Sequence, residues 1–367
     1  MTLIIFILIL VVLILVHEFG HFIIAKAFGI RVDEFGIFFP PKLYGKKFGE
    51  TEYTLNALPF GGFVKIYGEN IDEANPDLLV NPRSFVHKPR LIQAAVIVAG
   101  IVFNIIFAWL VLSAGYMIGM QSAVEHVGVG QVQNAKVTIM NVLPGSPADK
   151  AGVKPNDILS SIQTGKDTLP QNQNTKAVQA FIAAHQDESM VLTVTREGAP
   201  VNLLAKPADG FVTGHKALGV ELEDVGILKL NPFLALVQGA IVTKQMTVVT
   251  AQGLGSFFYT IVHGTANFGS VAGPIGIVKI GSAAVSHGIA NTLFLTALIS
   301  INLAVINLVP VPGLDGGRFL FIIIEAIRRK PISEKLATRM TIAGFALLIT
   351  LMLVISYHDI LRLIHTS

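Results

Sequence analysis

The chain has 367 residues, of which 52% are hydrophobic and only 14% are charged, and its mean hydropathy is +0.64. Soluble domains average about 25% charged residues, so this composition indicates an integral membrane protein with a modest soluble part. The net charge is +3 and no basic stripe with interleaved aromatic residues is present, which gives nucleic-acid binding little support. The absence of cysteine excludes disulfides and thiolate metal sites.

Four stretches are apolar and long enough to cross a bilayer, which takes about 20 residues. The first begins MTLIIFILILVVLILV, without a basic start or a small-residue cleavage site, so we predict a retained helix rather than a signal peptide. A further apolar stretch, residues 231–264, is interrupted by lysine and glutamine, and we predict amphipathic helices lying on the membrane there. A fifth span is the less favoured interpretation of that stretch. The four predicted spans cover residues 3–28, 91–120, 289–309 and 340–357.

Lysines and arginines predict the orientation of these spans, because they accumulate in cytoplasmic loops. They are concentrated between the first and second spans and again between the third and fourth. Both of those loops are therefore predicted to be cytoplasmic. Both termini and the long middle segment are then predicted to face outward.

The middle segment, residues 121–230, has the composition of a soluble domain and alternates apolar with polar residues, as in ESMVLTVTREG. Its passage VLPGSPADKAGVKPNDILSSIQ, residues 142–163, predicts a strand, a turn, a short helix, a second turn and another strand. This order resembles a PDZ domain. Some other small β domain is the alternative.

The deep end of the first span contains His17-Glu18-Phe19-Gly20-His21. Histidines four apart lie on one face of a helix, so both imidazoles can bind one zinc ion, and the adjacent glutamate can act as a general base. His17 lies about 22 Å along the helix, which predicts a site within the membrane near its cytoplasmic face. The alternative is a set of polar residues at a cytoplasmic helix end. Ionisable residues inside membranes are usually functional, which favours the metal site.

Zinc needs a third protein ligand, and Asp315 is the best candidate because it is a carboxylate in an otherwise apolar passage. Pro310 and Pro312 interrupt the preceding helix, so capping of the following helix is the alternative role for Asp315. Asn307 could bind an unwound substrate backbone or orient a ligand, and a helix–helix hydrogen bond is its alternative. Iron or cobalt would fit the same ligands.

Three features occur in a fixed order along the chain: the H-E-F-G-H motif, the PDZ-like segment and the motif N-x-x-P-x-P-x-L-D-G-G at residues 307–317. In this order the chain resembles, over essentially its whole length, bacterial site-2 proteases of the regulator of sigma-E protease type. The resemblance implies an intramembrane Zn²⁺ metalloprotease of the bacterial inner membrane, with its PDZ domain outside. It implies that His17, His21 and Asp315 bind zinc, that Glu18 is the base and that Asn307 handles substrate. The implied partners are the lipid bilayer and single-span membrane proteins already cut by a site-1 protease, such as anti-sigma factors and remnant signal peptides. The middle segment has room for one PDZ domain, whereas the best-known members have two.

Residues 51–68 read as two short strands around Pro59–Gly62, and the corresponding segment of the family is a β-hairpin that re-enters the membrane. A helical substrate must be unwound before hydrolysis, and an edge strand that includes Gly61 and Gly62 could hold it by strand addition. An ordinary cytoplasmic hairpin is the alternative.

The predicted fold is a multi-span α-helical membrane protein with four transmembrane helices, a membrane-associated β-hairpin and an inserted α+β PDZ domain. Its predicted parts are a first half of the membrane core, the PDZ domain, an amphipathic segment and a second half of the core, at residues 1–120, 121–230, 231–288 and 289–367. A catalytically silent scaffold is an alternative function, but a scaffold has no need of Glu18. A transporter would show two matching halves, and the sequence shows none.

Overall fold

The computed structural model describes residues 2–69, 80–170, 173–196, 198–212, 215–265, 273–330 and 332–365. The chain divides into two compact units: unit 1 comprises Met1–Ala114 and Gly239–Ser367, and unit 2 comprises Gly115–Gln238. The segment predicted as an inserted domain, residues 121–230, lies inside unit 2.

Helices dominate unit 1 and strands dominate unit 2. In chain order the elements are α1 (Thr2–Ala27), β1 (Val32–Phe48), β2 (Thr51–Ile66), α2 (Arg90–Ile118), β3 (Met120–Ala123), β4 (Gln133–Val142), α3 (Pro147–Lys150), β5 (Ile158–Gln163), β6 (Thr168–Leu169), α4 (Thr175–Ala184), β7 (Met190–Arg196), β8 (Ala199–Ala205), β9 (Ala208–Val212), β10 (His215–Ala217), β11 (Val220–Leu228), α5 (Pro232–Val262), α6 (Pro274–Ser286), α7 (Ile289–Asn307), α8 (Asp315–Arg328) and α9 (Glu334–His365).

Five helices within the described residues are long and apolar enough to cross a membrane: α1, α2, α5, α7 and most of α9. This is one more than the four spans predicted from the sequence. The additional helix, α5, is continuous through Lys244 and Gln245 and is the least apolar of the five, with a mean hydropathy of 1.3 against 2.0 to 2.9 for the others. Its length and composition therefore make α5 a fifth candidate span, the interpretation of this stretch that the sequence favoured less.

The β-hairpin is larger than the sequence predicted, because β1 supplies a partner strand upstream of residues 51–68 and the turn lies at Gly49 and Glu50. The register pairs Gly36 of β1 with both Thr54 and Phe63 of β2. The first strand folds back as well, since Thr54 pairs with both Gly36 and Gly45. The second strand folds back on itself near Pro59, and its two halves lie on either side of residues 32–37 of β1. This fold-back is where the sequence suggested a boundary between two short strands.

Helices α1 and α2 approach each other closely at two glycines. A Cβ atom on Gly20 would lie 2.6 Å from the carbonyl oxygen of Ala99, and one on Gly100 would lie 2.5 Å from Nε2 of His21. Because any side chain at these positions would collide, the glycines allow α2 to pack directly against the histidine face of α1.

Unit 2 is built on an antiparallel sheet in the order β3-β11-β4-β5-β7-β8, and β6 pairs with β5. Its apolar side packs against α3 and α4 around a core that includes Ile139, Ile162, Val178 and Leu192. Ser146 caps α3 by accepting a hydrogen bond from the amide of Asp149, and Pro147 follows as the first helical residue. The cap and the proline together explain why the helix in the SPADK passage begins at Pro147.

One ion pair of unit 2 includes a buried carboxylate. Asp157 is 1% exposed, and its carboxylate accepts hydrogen bonds from the Arg196 side chain at 2.8 Å and 2.7 Å and from the Lys154 amide at 2.9 Å. Burial acts to raise the pKa of Asp157, but the guanidinium and the amide more than offset it and hold the pKa below its usual value. The pair therefore fixes the turn before β5 to the end of β7.

Candidate active site

Helix α1 places two buried histidines on one face, as the four-residue spacing predicts. Each is 7% exposed, and their Nε2 atoms lie 3.3 Å apart, so the two rings point at the same place. The rings meet edge to face, with their centres 4.8 Å apart. Glu18 follows the first histidine directly.

Asp315 is brought to the same point by the turn between α7 and α8. Its Oδ2 lies 2.9 Å from Nε2 of His17 and 3.3 Å from Nε2 of His21. The turn is so tight that Cβ atoms on Gly316 and Gly317 would lie 2.3 Å from the carbonyl oxygens of Val309 and Val311. The glycines after the aspartate therefore allow a chain broken at two prolines to fold back onto α1.

The helix-capping alternative for Asp315 does not describe the structure. The N-cap position of α8 is Leu314, and no side chain caps the helix there. Instead, Oδ2 of Asp315 is a buried oxygen that has no hydrogen-bond partner among the described residues. A buried carboxylate oxygen is costly unless something binds it, so this oxygen and the two imidazole nitrogens fit a metal ion.

These three side chains form the metal-binding group that the described part of the chain offers. One ligand atom from each of His17, His21 and Asp315 lies within 4.8 Å of the others. Two imidazoles and one carboxylate are a common donor set for zinc, and a three-residue site leaves a coordination position for a reactant. The fold therefore brings together, from opposite ends of unit 1, the three residues that the sequence predicted as metal ligands.

Helix α2 contacts the outward nitrogen of each histidine. The Nδ1 atom of His21 lies 2.8 Å from the carbonyl oxygen of Val96, and the Nδ1 atom of His17 lies 3.2 Å from Nδ2 of Asn104. Asn104 was not among the residues predicted from the sequence. The available signal was an asparagine in an apolar span, four residues after Gly100 and so on the same helix face, and the structure shows that it is fully buried.

Asn307 ends α7, and its amide nitrogen lies 3.5 Å from Nε2 of His17. The residue therefore borders the metal-binding group on the side of α7. Its position is compatible with either of the functional roles considered from the sequence, contact with substrate or orientation of a ligand.

The two hairpin glycines lie where β2 passes the histidine helix. A Cβ atom on Gly62 would lie 3.3 Å from Cδ2 of Leu15 and 3.8 Å from Cγ of Glu18. Gly61 adopts a φ of +88° and faces the ring of Phe39. Gly62 is therefore beside the glutamate, whereas Gly61 shapes the fold-back of the strand.

A cavity of about 660 Å³ is bordered by α2, α8 and α9, and Asp315 is one of the residues that line it. Two ion pairs line it: Glu69 with Arg318, and Arg90 with Glu325 at 2.7 Å. Charged walls are compatible with water in this cavity. This cavity could not be predicted from the sequence, because its walls come from four separate segments.

Comparison with known proteins identifies the family. The model of peptidase family M50 matches residues 5–351. A protein of Nostoc sp. named "Putative zinc metalloprotease" is 36% identical over 357 residues, covering 94% of this chain and 91% of that protein. A protein of the same description from Clostridium perfringens is 34% identical, covering 95% of each chain. The "Zinc metalloprotease RasP" of Oceanobacillus iheyensis is 27% identical and covers 99% of each chain.

These similarities extend through both halves of unit 1, so they include the histidine motif and the aspartate that meets it. The apolar helices agree with a membrane-bound member of such a family. The chain therefore belongs to peptidase family M50, the site-2 protease family, and is a zinc metalloprotease with Zn²⁺ as its cofactor.

Proposed function

We propose that this protein hydrolyses peptide bonds within the transmembrane segments of single-span membrane proteins. The observation that carries the proposal is the place of the site: its two histidines and Glu18 belong to α1, a helix apolar enough to cross a membrane. A protease whose general base lies on such a helix would meet its substrate inside the bilayer.

In this proposal His17, His21 and Asp315 hold the zinc ion through the three atoms that converge. When bound, the zinc supplies Lewis acidity to the scissile carbonyl and to water. Glu18 accepts a proton from the attacking water and delivers it to the leaving amine. Asn307 borders His17 and is available to hydrogen-bond the unwound substrate backbone.

We further propose that β2 holds the substrate as an added strand. A helix hides its carbonyl groups in its own hydrogen bonds, so a segment to be cut must become extended. Support comes from Gly62, which lies beside Glu18 and presents backbone without a side chain there. A substrate paired along this part of β2 would have a peptide bond next to the base.

We propose four membrane spans, with α5 lying at the membrane surface, and the connectivity of unit 1 supports this proposal. Helices α1 and α2 are antiparallel, since Gly20 meets Gly100 while His17 meets Asn104. Helix α7 runs parallel to α1, because its last residue borders His17 while its first turn contacts α6, which packs on Phe6.

Helix α2 therefore ends on the side of the membrane where α7 begins, and an even number of crossings must separate them. Helix α6 has 13 residues, about 20 Å, which is short of a core about 30 Å thick. A single crossing by α5 would leave the chain on the wrong side. We therefore propose that α1, α2, α7 and α9 are the spans.

We propose that unit 2 is a PDZ domain on the outer side of a bacterial inner membrane and that it screens substrates already trimmed by another protease. The lysine- and arginine-rich loops support this orientation. The capped SPADK turn and a groove of about 720 Å³ between α4 and the start of β11 support the domain assignment. The metal site then lies near the cytoplasmic face.

The deciding experiment compares the purified protein with its Glu18→Gln variant on a labelled single-span substrate in detergent. We expect the wild type to cut within the apolar segment, and the variant to bind zinc normally without cutting. Equal cleavage by both would remove Glu18 from the mechanism. Zinc binding without cleavage of a panel of single-span substrates by the wild type would favour a silent scaffold.

A further inference from the structure

Asn104 is the most deeply buried polar group that contacts the metal-binding residues. It has no exposed surface, and its Nδ2 lies 3.2 Å from Nδ1 of His17. Its other polar atom, Oδ1, is buried and has no hydrogen-bond partner in the described part of the chain. A buried amide with one end on a histidine and the other end unpaired requires an explanation.

The chemistry of His17 supplies that explanation. Its Nε2 is the atom that faces Asp315 and His21, so Nε2 is the nitrogen that offers a lone pair to a metal. A neutral imidazole that binds a metal through Nε2 carries its proton on Nδ1. That N–H must donate, and an amide NH₂ group cannot accept it.

A half-turn of the Asn104 amide about its Cβ–Cγ bond exchanges Oδ1 and Nδ2. The oxygen without a partner then faces the Nδ1–H group of His17 and accepts its hydrogen bond. The exchange requires no movement of the helix. It is therefore the arrangement compatible with a metal-binding His17.

The Nδ1 atom of His21 also faces α2, and its partner there is a backbone carbonyl, which cannot turn to present a donor instead. This Nδ1 lies 2.8 Å from the carbonyl oxygen of Val96, and a carbonyl can only accept, so Nδ1 carries the proton and Nε2 is free. Val96 and Asn104 are both on α2, about two turns apart. One helix thus faces the outward nitrogen of both histidines.

We propose that Asn104 is a positioning residue that accepts the Nδ1–H hydrogen bond of His17 and so fixes the tautomer and ring orientation needed for zinc. The proposal rests on the ligand assignment in the proposed function. The backbone at Asn104 is held in place because the Ser300 hydroxyl donates to the backbone carbonyl of Asn104 at 2.8 Å, and Gly100 brings α2 against the rings. Such outer hydrogen bonds typically change metal affinity by about 10- to 100-fold.

The test measures the zinc affinity of the purified full-length protein by competition with a chromogenic chelator. Asn104→Asp keeps an acceptor of the same shape and removes the donor, whereas Asn104→Leu removes both. We expect the Asp variant to stay within about threefold of the wild type and the Leu variant to bind zinc about 10- to 100-fold more weakly. Ser113→Ala is the matched control, since Ser113 is buried on the same helix and its hydroxyl donates to the Trp109 carbonyl of that helix; the zinc affinity of this variant should equal that of the wild type.

Equal weakening by the two Asn104 variants would overturn the proposal, since it would show that the residue acts as a donor or by packing. No weakening by the Leu variant would also overturn it. The tautomer of His17 in the zinc-loaded wild type, read from ¹⁵N-histidine NMR, needs no substitution: a proton on Nδ1 supports the proposal, and a bare Nδ1 contradicts it. Wild-type zinc affinity unchanged by Asp315→Ala would instead contradict the ligand assignment, so the two failures can be told apart.

Discussion

Unit 1 and unit 2 each bury a carboxylate, and the two carboxylates have opposite surroundings. Asp157 of unit 2 is surrounded by donors, with the Arg196 guanidinium and the Lys154 amide both bonded to it. Asp315 of unit 1 has a buried Oδ2 that no hydrogen bond satisfies within the described residues, although two imidazole nitrogens lie within 3.3 Å. We call a buried carboxylate saturated when donors are bonded to it and unsaturated when a buried oxygen has no hydrogen-bond partner. The saturated carboxylate stabilises the fold, whereas the unsaturated one, which faces other potential ligands, is available to bind a metal.

A third buried carboxylate shows that this difference does not follow from the unit itself. Asp359 of α9 belongs to unit 1, is 5% exposed and accepts a hydrogen bond from the Gly276 amide at 2.8 Å, in the first turn of α6. It gives the GPIGI passage, residues 273–277, a physical role as a capped helix start. The role of each carboxylate should therefore depend on whether it accepts hydrogen bonds, rather than on the unit to which it belongs.

The largest expected effect follows removal of the unsaturated carboxylate. Asp315→Ala should weaken zinc binding by more than about 100-fold, because losing a ligand exceeds the loss of an outer hydrogen bond. The metal-free variant should unfold at the same temperature as the metal-free wild type. Metal analysis and thermal unfolding in detergent measure both quantities, and unchanged zinc content would point to a different third ligand.

Removal of the saturated carboxylate should have the reverse outcome. Asp157→Ala should lower the free energy of unfolding of unit 2 by about 3 kcal/mol, because it leaves the Arg196 charge partly buried without its partner. Zinc content should not change. Proteolysis of unit 2 across a denaturant series measures the first quantity, and a loss of zinc would contradict the comparison.

The same carboxylate predicts a pH dependence. Because the folded-state pKa of Asp157 lies below the unfolded value of about 3.9, its contribution to stability is complete above that pH and is lost as pH falls through the folded-state pKa. Unit 2 should therefore lose stability on acidification below about pH 4. In Asp157→Asn this part of the loss should be absent, and identical acid profiles would contradict the assignment.

Two helical glycines of unit 1 test whether the packing of α2 sets the positions of the histidine rings. Gly100→Ala should weaken zinc binding about 10-fold, because the new Cβ would lie 2.5 Å from Nε2 of His21 and displace the ring. Gly253→Ala on α5 is the control, since a Cβ there meets nothing within 4 Å. Chelator competition compares them, and equal affinities would show that α2 does not set the ring positions.

The smallest expected effect comes from the third carboxylate. Asp359→Ala removes a bond to the start of α6 and should lower the stability of unit 1 by about 1 kcal/mol, a typical value for a lost cap. Zinc affinity should stay within about twofold. Thermal unfolding measures the first effect, and a large loss of zinc would show that location matters after all.

The parts of the site that local spacing encodes could be predicted from the sequence. The spacing of His17 and His21 alone places them on one helix face. Asp315 could be identified because a carboxylate without a functional role is rare in an apolar membrane segment. Asn104 could not be assigned, because an asparagine in a span can equally bond to a neighbouring helix. Only the tertiary packing at Gly100 shows that it faces His17.

The sequence predicted the fold less completely where pairing is long-range. The strand β1 was missed because Pro40 and Pro41 interrupt its pattern, and its pairing with both halves of β2 depends on the fold-back near Pro59. Helix α5 was predicted as several amphipathic pieces because Lys244 and Gln245 interrupt the apolar run. A single helix tolerates such residues on a polar face or at an interface.

The separation of the metal-binding residues along the chain has a consequence for biosynthesis. His17 and His21 leave the ribosome almost 300 residues before Asp315, and at about 5 to 20 residues per second this interval lasts roughly 15 to 60 s. Unit 2 is encoded entirely within that interval. The zinc centre therefore cannot be completed until Asp315 has been synthesised, and the nascent protein carries no complete protease site while the apolar helices that precede Asp315 are being inserted.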